Sequence, residues 1–212
     1  MPDTEQAAFW RSKFGDEYTD RNIYSTEELD EFYKKTYNVT ATDMYQESLR
    51  GLSISSCLEV GSNVGNQLKL LQKLGYQNLY GVEINAYAVQ KAKELTKNIN
   101  IIEGSAFDIP FKDGYFDLVF TAGVLIHIHP DDLRRVMKEI YRVSKKYIRG
   151  FEYFSPRYTE INYRGNLNRL WKANFADIYL QEFPALKLVW RKSYKYVDTE
   201  NVDEAFLLEK TI

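Results

Sequence analysis

The chain has few of the residues that build disulfides and metal sites. It contains one cysteine, Cys57, and two histidines among 212 residues. A single thiol excludes a disulfide within the chain, so the sequence predicts the cytosol as its compartment and a buried, unreactive Cys57. With so few cysteine and histidine side chains we also expect no metal ion at a functional site.

Long runs of basic or apolar residues are missing as well. Lysine and arginine number 28 against 30 aspartates and glutamates, and no basic run exceeds two or three residues. Because contact with nucleic-acid phosphates needs a concentrated positive surface, we expect no nucleic-acid partner. No apolar run approaches the length of a membrane span, and the N-terminus shows no signal-peptide pattern, so we expect no membrane partner.

The first quarter of the chain predicts helices. A short helix and a loop are expected within residues 1–24, a helix over 26–37 after a capping box at Ser25, and a further helix near 42–50. We interpret residues 1–50 as a helical extension, or lid, that packs on a domain formed by residues 51–212 within one structural unit.

The rest of the chain alternates between strand and helix patterns. Strands are predicted over 55–60, 78–83, 99–103, 116–121 and 146–153, and helices over 65–74, 86–97, 130–143 and 166–175. Two final β-like stretches, 186–196 and 203–210, lie close in sequence and predict an antiparallel hairpin. The sequence therefore predicts an α/β fold of Rossmann-like type, with a seven-stranded mixed sheet and helices on both faces.

The turn after the first core strand is the most informative segment. Glu59 is followed by Gly61, Asn63 and Gly65 at alternating positions. A dinucleotide fingerprint needs glycines at the first, third and sixth turn positions, and only the first is present. The acidic-x-Gly-x-Gly-x-Gly spacing of S-adenosylmethionine (SAM) sites loses only its middle glycine, which is Asn63 here.

The chemistry of Glu59 points the same way. SAM has no pyrophosphate, and a carboxylate that would repel phosphates is compatible with a cationic sulfonium and an amino group. The turn therefore favours SAM over NAD, and a plain structural βα turn stays open as the alternative.

The ends of the next strands supply further candidates. Glu83 closes the second strand, where a carboxylate accepts hydrogen bonds from both ribose hydroxyls. The loop after the third strand can hold adenine through Ser105, the amide of Ala106 and the ring of Phe107, although an ordinary connection would look similar. The predicted cofactor residues within residues 51–212 are Glu59, Gly61, Ser62, Asn63, Gly65, Glu83, Ile84, Ser105, Ala106, Phe107, Ala122, Gly123 and His127.

The segment after the fourth strand carries both histidines. Small residues at Ala122 and Gly123 allow the chain to pass close to the methionine part of the cofactor. If the segment is extended, His127 and His129 point the same way, and a neutral imidazole there can accept a proton from an acceptor. The alternative is that either histidine caps the following helix or packs against the loop.

The end of the fifth strand and the loop beyond it emerge at the same edge of the sheet. Glu152 and Tyr153 are therefore, with His127, the candidate catalytic residues that face the acceptor. In the following loop three arginines can bind a carboxylate or phosphate of the acceptor, or be ordinary surface residues. These arginines are Arg157, Arg164 and Arg169.

Motifs along nearly the whole chain carry a family resemblance. They are Phe9-Trp10 and residues 14–22, 58–66, 104–107, 123–128, 152–156, 163–165 and 170–172. With them the chain resembles class I SAM-dependent methyltransferases, and more narrowly the small methylases associated with pseudaminic acid biosynthesis. The resemblance implies that Tyr18, Arg21 and Asn22 help to close the cofactor pocket. Two departures are Ser105, where an acidic adenine ligand is usual, and Asn174, where an aspartate is expected.

The predicted function is methyl transfer from SAM to oxygen or nitrogen of a small polar acceptor. The resemblance implies a surface-glycan sugar of the pseudaminic acid type, or its precursor, as one candidate acceptor. Three alternatives stay open: a non-catalytic SAM-binding partner protein, methylation of an unrelated small metabolite, and an NAD-dependent sugar oxidoreductase. The last is disfavoured by the glycine spacing and by the lack of a Tyr-x-x-x-Lys pair in the expected place.

Overall fold

The computed structural model describes residues 4–211, and within this range four helices precede the first strand. The strands are β1 (Cys57–Val60), β2 (Leu79–Glu83), β3 (Ile99–Glu103), β4 (Phe116–Ala122), β5 (Ser144–Tyr153), β6 (Thr159–Glu160), β7 (Trp171–Lys172), β8 (Leu186–Lys195) and β9 (Val202–Lys210). The helices are α1 (Glu5–Trp10), α2 (Lys13–Arg21), α3 (Thr26–Tyr37), α4 (Ala41–Ser48), α5 (Asn66–Lys73), α6 (Ala86–Leu95), α7 (Pro130–Val143) and α8 (Phe175–Glu182).

Seven of the strands form one mixed sheet in the order β3-β2-β1-β4-β5-β9-β8. Strands β1 to β5 are parallel, and β9 runs antiparallel between β5 and β8. This is the predicted seven-stranded sheet with its C-terminal hairpin. Because β9 is antiparallel, its first residues lie at the edge where the parallel strands end.

Each face of the sheet buries its own hydrophobic cluster. On one face, α3 and α4 contribute Leu29, Tyr33 and Met44, which pack with residues of β1, β4, β5 and β9. On the other face, α7 and α8 cover the alternate residues of the same strands, among them Leu58 and Phe206. The central strand β1 is buried at every position, and burial raises the pKa of the Cys57 thiol to about 12.

The N-terminal segment differs from its prediction. Where the sequence predicted one helix and a loop within residues 1–24, the described part of this segment forms both α1 and α2. Each helix begins at a hydroxyl side chain that caps it: Thr4 accepts from the amide of Ala7, and Ser12 accepts from the amide of Phe14. The proposed role of residues 1–50 as a lid stays a prediction.

The helix predicted over 166–175 is wrong. The chain there makes a turn with left-handed backbone at Arg164, Gly165 and Asn168, and then pairs β7 with β6. Asn168 lies inside the predicted range, and a left-handed residue interrupts a right-handed helix. The helix begins only at Phe175, because the side chain of Asn174 caps it by accepting from the amide of Asp177.

Candidate functional site

A cavity of about 470 Å³ opens at the edge where the parallel strands end. Its walls come from the ends of β1, β2, β4 and β5, from the start of β9, and from α1 to α3. The predicted residues that line it are Tyr18, Asn22, Glu59, Gly61, Ser62, Asn63, Glu83, Ile84, Ser105, Ala106, Phe107, Ala122, Gly123, His127, Glu152 and Tyr153. This volume is within the usual range for a small-molecule site, about 300–1,000 Å³.

Two predicted cofactor residues, Gly65 and Arg21, are not among those that line the cavity. Gly65 caps α5 with left-handed backbone (φ 77°), and a Cβ atom there would lie 2.8 Å from Cδ1 of Ile101. Its contribution is therefore to the shape of the turn. The guanidinium of Arg21 lies 3.9 Å from the carboxylate of Glu17, on the same helix.

The turn after β1 explains why an asparagine replaces the middle glycine. Asn63 has φ 46°, a left-handed conformation that asparagine adopts more readily than most residues. Its side chain accepts from the amide of Val64 (2.7 Å) and donates to the hydroxyl of Thr19 in α2 (3.2 Å). Gly61 has no such substitute, because a Cβ atom there would lie 2.6 Å from a methyl carbon of Val124.

Glu83 is held in place by backbone amides. Its Oε2 accepts from the amide of Asn63 and its Oε1 from the amide of Asn85, both at 2.8 Å. Burial raises the pKa of this carboxyl, and the backbone hydrogen bonds partly oppose the shift. A carboxylate accepts about four hydrogen bonds, so each oxygen retains a lone pair for a ribose hydroxyl.

Glu59 is a buried acid with an unpartnered oxygen. Its Oε2 has no hydrogen-bond partner. Burial raises its pKa well above the usual range, the nearby Glu83 raises it further, and Arg149 opposes both. A buried carboxylate without a partner is costly, and a cation beside it removes that cost. This orphaned oxygen fits a ligand that carries a positive charge, as SAM does.

The loop after β3 brings the predicted adenine residues to the cavity wall. Ser105 lies at a narrow turn in which its hydroxyl accepts from the amide of Phe107 (3.2 Å). The guanidinium of Arg135 lies 4.9 Å from the centre of the Phe107 ring, a cation–π distance. The ring is therefore braced within the wall of the cavity.

The histidine segment is not extended. Residues Leu125–His127 form a turn of 3₁₀ helix, and only His127 of the two histidines lines the cavity. The condition under which both histidines were expected to point the same way, an extended segment, is therefore not met. His129 caps α7 by accepting from the amide of Asp131 (3.3 Å), the alternative role left open above.

His127 is held in one tautomer. Its Nδ1 lies 2.7 Å from the carbonyl oxygen of Arg169, so Nδ1 carries the hydrogen and Nε2 is left as the acceptor. The ring packs against Trp10 and Tyr163, with centroids 4.7 and 5.0 Å away. Burial lowers the pKa of this imidazole to about 4, so it is neutral at pH 7.

Glu152 accepts hydrogen bonds from backbone amides of the 3₁₀ turn and of the residue before it. Its carboxylate oxygens accept from the amides of Val124 (3.3 Å) and Ile126 (3.4 Å), and burial raises its pKa to about 7. Of the three arginines in the loop after β5, only Arg164 lines the cavity. Arg169 instead pairs with Glu5 across 3.4 Å.

Sequence reasoning missed a group of polar residues at the far end of the cavity. Tyr37 and Tyr196 both donate hydrogen bonds to the carboxylate of Asp203, and all three residues line the cavity. One signal was present. Asp203 begins the last predicted strand, and the start of an antiparallel strand lies at the same edge as the ends of the parallel strands.

Residues 4–211 contain no group of three or more His, Cys, Asp or Glu side chains arranged to hold a metal ion. No helix among them combines the length and apolar character needed to cross a bilayer.

Comparison with known proteins gives matches to methyltransferases. Residues 58–147 match the family described as "Methyltransferase domain". A sterol methyltransferase-like protein of Botryococcus braunii is 34% identical over 94 residues, which cover 42% of this chain and 24% of that protein. The chain spans about a quarter of the length of the curated relatives it matches first.

Two solved structures extend the likeness to the whole chain. One is a Burkholderia thailandensis 1,6-didemethyltoxoflavin-N1-methyltransferase with bound 1,6-didemethyltoxoflavin and S-adenosylhomocysteine (SAH) (TM-score 0.73, 16% identity, 100% of this chain and 93% of that one). The other is a Synechocystis magnesium protoporphyrin IX methyltransferase with bound SAM (TM-score 0.70, 13% identity, 100% of both chains). The predicted fold class is confirmed, and the predicted enzyme class and cofactor agree with these matches.

Proposed function

We propose that this protein, which has the class I methyltransferase fold, transfers a methyl group from SAM to an oxygen or nitrogen atom of a small polar acceptor. One observation carries the proposal. Two buried carboxylates, Glu59 and Glu83, lie near the carboxyl ends of the neighbouring strands β1 and β2 and line one cavity, and Glu59 has an oxygen without a partner. The match of residues 58–147 to a methyltransferase domain supports the same conclusion.

Different residues bind the ribose, the methionine part and the adenine of the cofactor. Glu83 receives the ribose hydroxyls, because its two oxygens are fixed by backbone amides and each keeps an acceptor position. Glu59 meets the positive charge of the methionine part. Ser105, Ala106 and Phe107 bind the adenine ring. Gly61 and Gly123, both with left-handed backbone, allow the chain to lie close to the ligand.

SAM supplies a methyl group that its sulfonium already activates, so the protein contributes mainly orientation. Tyr18 and Asn22 line the cavity from α2 and its C-cap, which supports a role of residues 1–50 in closing it. The neutral His127 can accept a proton from a hydroxyl or amine through Nε2. Glu152 positions the turn that carries His127, and Tyr153 lines the acceptor end of the cavity.

For the acceptor we propose a surface-glycan sugar of the pseudaminic acid type or its precursor. The sequence motifs of that methylase group support it, and so does a cavity lined by hydroxyl-bearing side chains. The guanidinium side chain of Arg164 also lines the cavity and suits a carboxylate or phosphate on such a sugar. Relatives that act on sterols make methylation of another small metabolite the competing case.

Calorimetric titration with SAH, followed by the Glu83→Ala variant, tests the cofactor part. We expect binding to the wild type and its loss in the variant, and thermal stabilisation by SAH but not by NAD. Absence of SAH binding would defeat the proposal. Binding without transfer of a labelled methyl group to any small-molecule pool would favour a non-catalytic SAM-binding protein.

A further inference from the structure

The far end of the cavity contains a buried carboxylate that the cofactor does not explain. Asp203 is the second residue of β9, pairs in register with Tyr153 of β5, and is only 3% exposed. Its Oδ2 accepts hydrogen bonds from the hydroxyls of Tyr37 (2.5 Å) and Tyr196 (3.2 Å), while its Oδ1 has no partner. The charge of Lys172 acts on this carboxylate, while the Lys172 ammonium itself donates to Oδ1 of Asn201.

The distance across the sheet separates this group from the cofactor residues. Glu59 is on β1, and β4 and β5 lie between β1 and β9. At about 4.8 Å per strand, three strand spacings separate β9 from β1 by about 14 Å across the sheet. The register places Glu59 level with Leu207, so Asp203 is offset from Glu59 by a further four residues along β9. The predicted ribose and adenine residues continue in the opposite direction, along β2 and β3. Asp203 is therefore on the side left for the acceptor.

The hydrogen-bond inventory limits what can bind there. A tyrosine hydroxyl has one hydrogen, and Tyr37 and Tyr196 both direct theirs to Oδ2 of Asp203. What remains toward a ligand is the lone pairs of the two hydroxyl oxygens and the unpartnered Oδ1. Burial raises the pKa of Asp203 to about 7, opposed by the hydrogen bonds from the two tyrosines and by the charge of Lys172. In the ionised form, which a donor ligand favours, these groups are all acceptors. A ligand group that satisfies them must donate a hydrogen bond, and an anionic group would be repelled.

Resting on the proposed function, we propose that Asp203, with Tyr37 and Tyr196, is the anchor that binds a hydroxyl or amino group of the methyl acceptor. The anchor makes acceptor choice depend on a hydrogen-bond donor at this end of the cavity. A carboxylate or phosphate of the same acceptor must then lie elsewhere in the cavity. Among the described residues that line the cavity, Arg164 carries a cationic side chain that suits such a group.

The test uses the full chain, radiolabelled SAM and a small-molecule extract of cells as the acceptor pool. The variants are Asp203→Asn, Tyr37→Phe and Tyr196→Phe. The control is Tyr194→Phe, which removes a buried hydroxyl without a partner from the same strand region, outside the cavity lining. Initial rates are measured against extract concentration, and SAH affinity and thermal melting are measured for every variant.

We expect the extract concentration at half-maximal rate to rise at least about tenfold in Asp203→Asn, because the acceptor loses a hydrogen bond to a charged group. The rise should be smaller in the two Phe variants, because each keeps Asp203 and loses one tyrosine hydroxyl bonded to it. SAH affinity should stay within twofold of wild type in all four proteins, and Tyr194→Phe should behave as wild type. Unchanged acceptor dependence in Asp203→Asn would overturn the anchor alone. A wild type that binds no SAH or labels nothing would overturn the proposed function, and the anchor with it.

Discussion

Glu83 offers the sharpest test of how the chain binds its cofactor. Glu83→Gln keeps the size of the side chain but replaces one acceptor oxygen by an amide that only donates. Since both carboxylate oxygens already accept a backbone hydrogen bond at 2.8 Å, the variant must leave either Asn63 or Asn85 without its acceptor. The variant also loses one of the hydrogen bonds that Glu83 would accept from the ribose hydroxyls.

The expected magnitude follows from these losses. One hydrogen bond to a charged group lost from the ligand weakens binding by about 2–3 kcal/mol, or about 30- to 150-fold in Kd. One buried amide left unpaired destabilises the free protein by about 1–3 kcal/mol, a few degrees in Tm for a chain of this size. The assay is calorimetric titration with SAH, together with a thermal melt.

Glu103→Gln is the matched control. Glu103 is paired with Glu83 in the sheet register, is exposed, and does not line the cavity. It should bind SAH as the wild type does. A folded Glu83→Gln protein that binds SAH with wild-type affinity would refute the assignment of Glu83 to the ribose.

Further predictions concern the turn, the buried acids and their proton balance. Gly61→Ala should lower Tm and abolish SAH binding, because its Cβ would lie 2.6 Å from Val124 at φ 73°, and a variant that melts and binds normally would contradict this. SAM binding should release protons, because burial raises the pKa of Glu59 in the free protein and a cation favours its ionised form. Titrations in buffers of different ionisation enthalpy would measure that release, and heats independent of the buffer would argue against it. Burial also raises the pKa of Glu152 to about 7, so its contribution to stability is complete below about pH 4.5 and is lost as pH rises to 7. Urea unfolding of the wild type and Glu152→Gln should therefore diverge over that range by about 3 kcal/mol, and parallel pH curves would count against a buried, protonated Glu152.

The central α/β pattern was predictable because its signals are local. Apolar runs such as residues 116–121 identify strands, and Gly61 and Gly65 mark the turn from β1 to α5. The acids at positions 59 and 83 then come to one edge because parallel strands end together. Asn63 is compatible with the predicted glycine position, because asparagine tolerates the left-handed backbone found there.

The parts that were not predictable depend on tertiary contacts. The segment 166–175 has helix-compatible residues, but its left-handed turn and pairing with β6 prevent a helix. The direction of His127 follows from a bond to the carbonyl of Arg169, 42 residues away. The Asp203 anchor joins residues from α3, from β9 and from the position just after β8, and no sequence spacing predicts that these residues meet.

A crystal structure of the complex with SAH is the most direct test of the central claim, that the turn after β1 and the acid ending β2 form the cofactor site. The account predicts both ribose hydroxyls at about 2.7 Å from the oxygens of Glu83, with the amino group of the ligand beside Glu59. A ligand bound elsewhere, or a ribose that Glu83 does not touch, would contradict it.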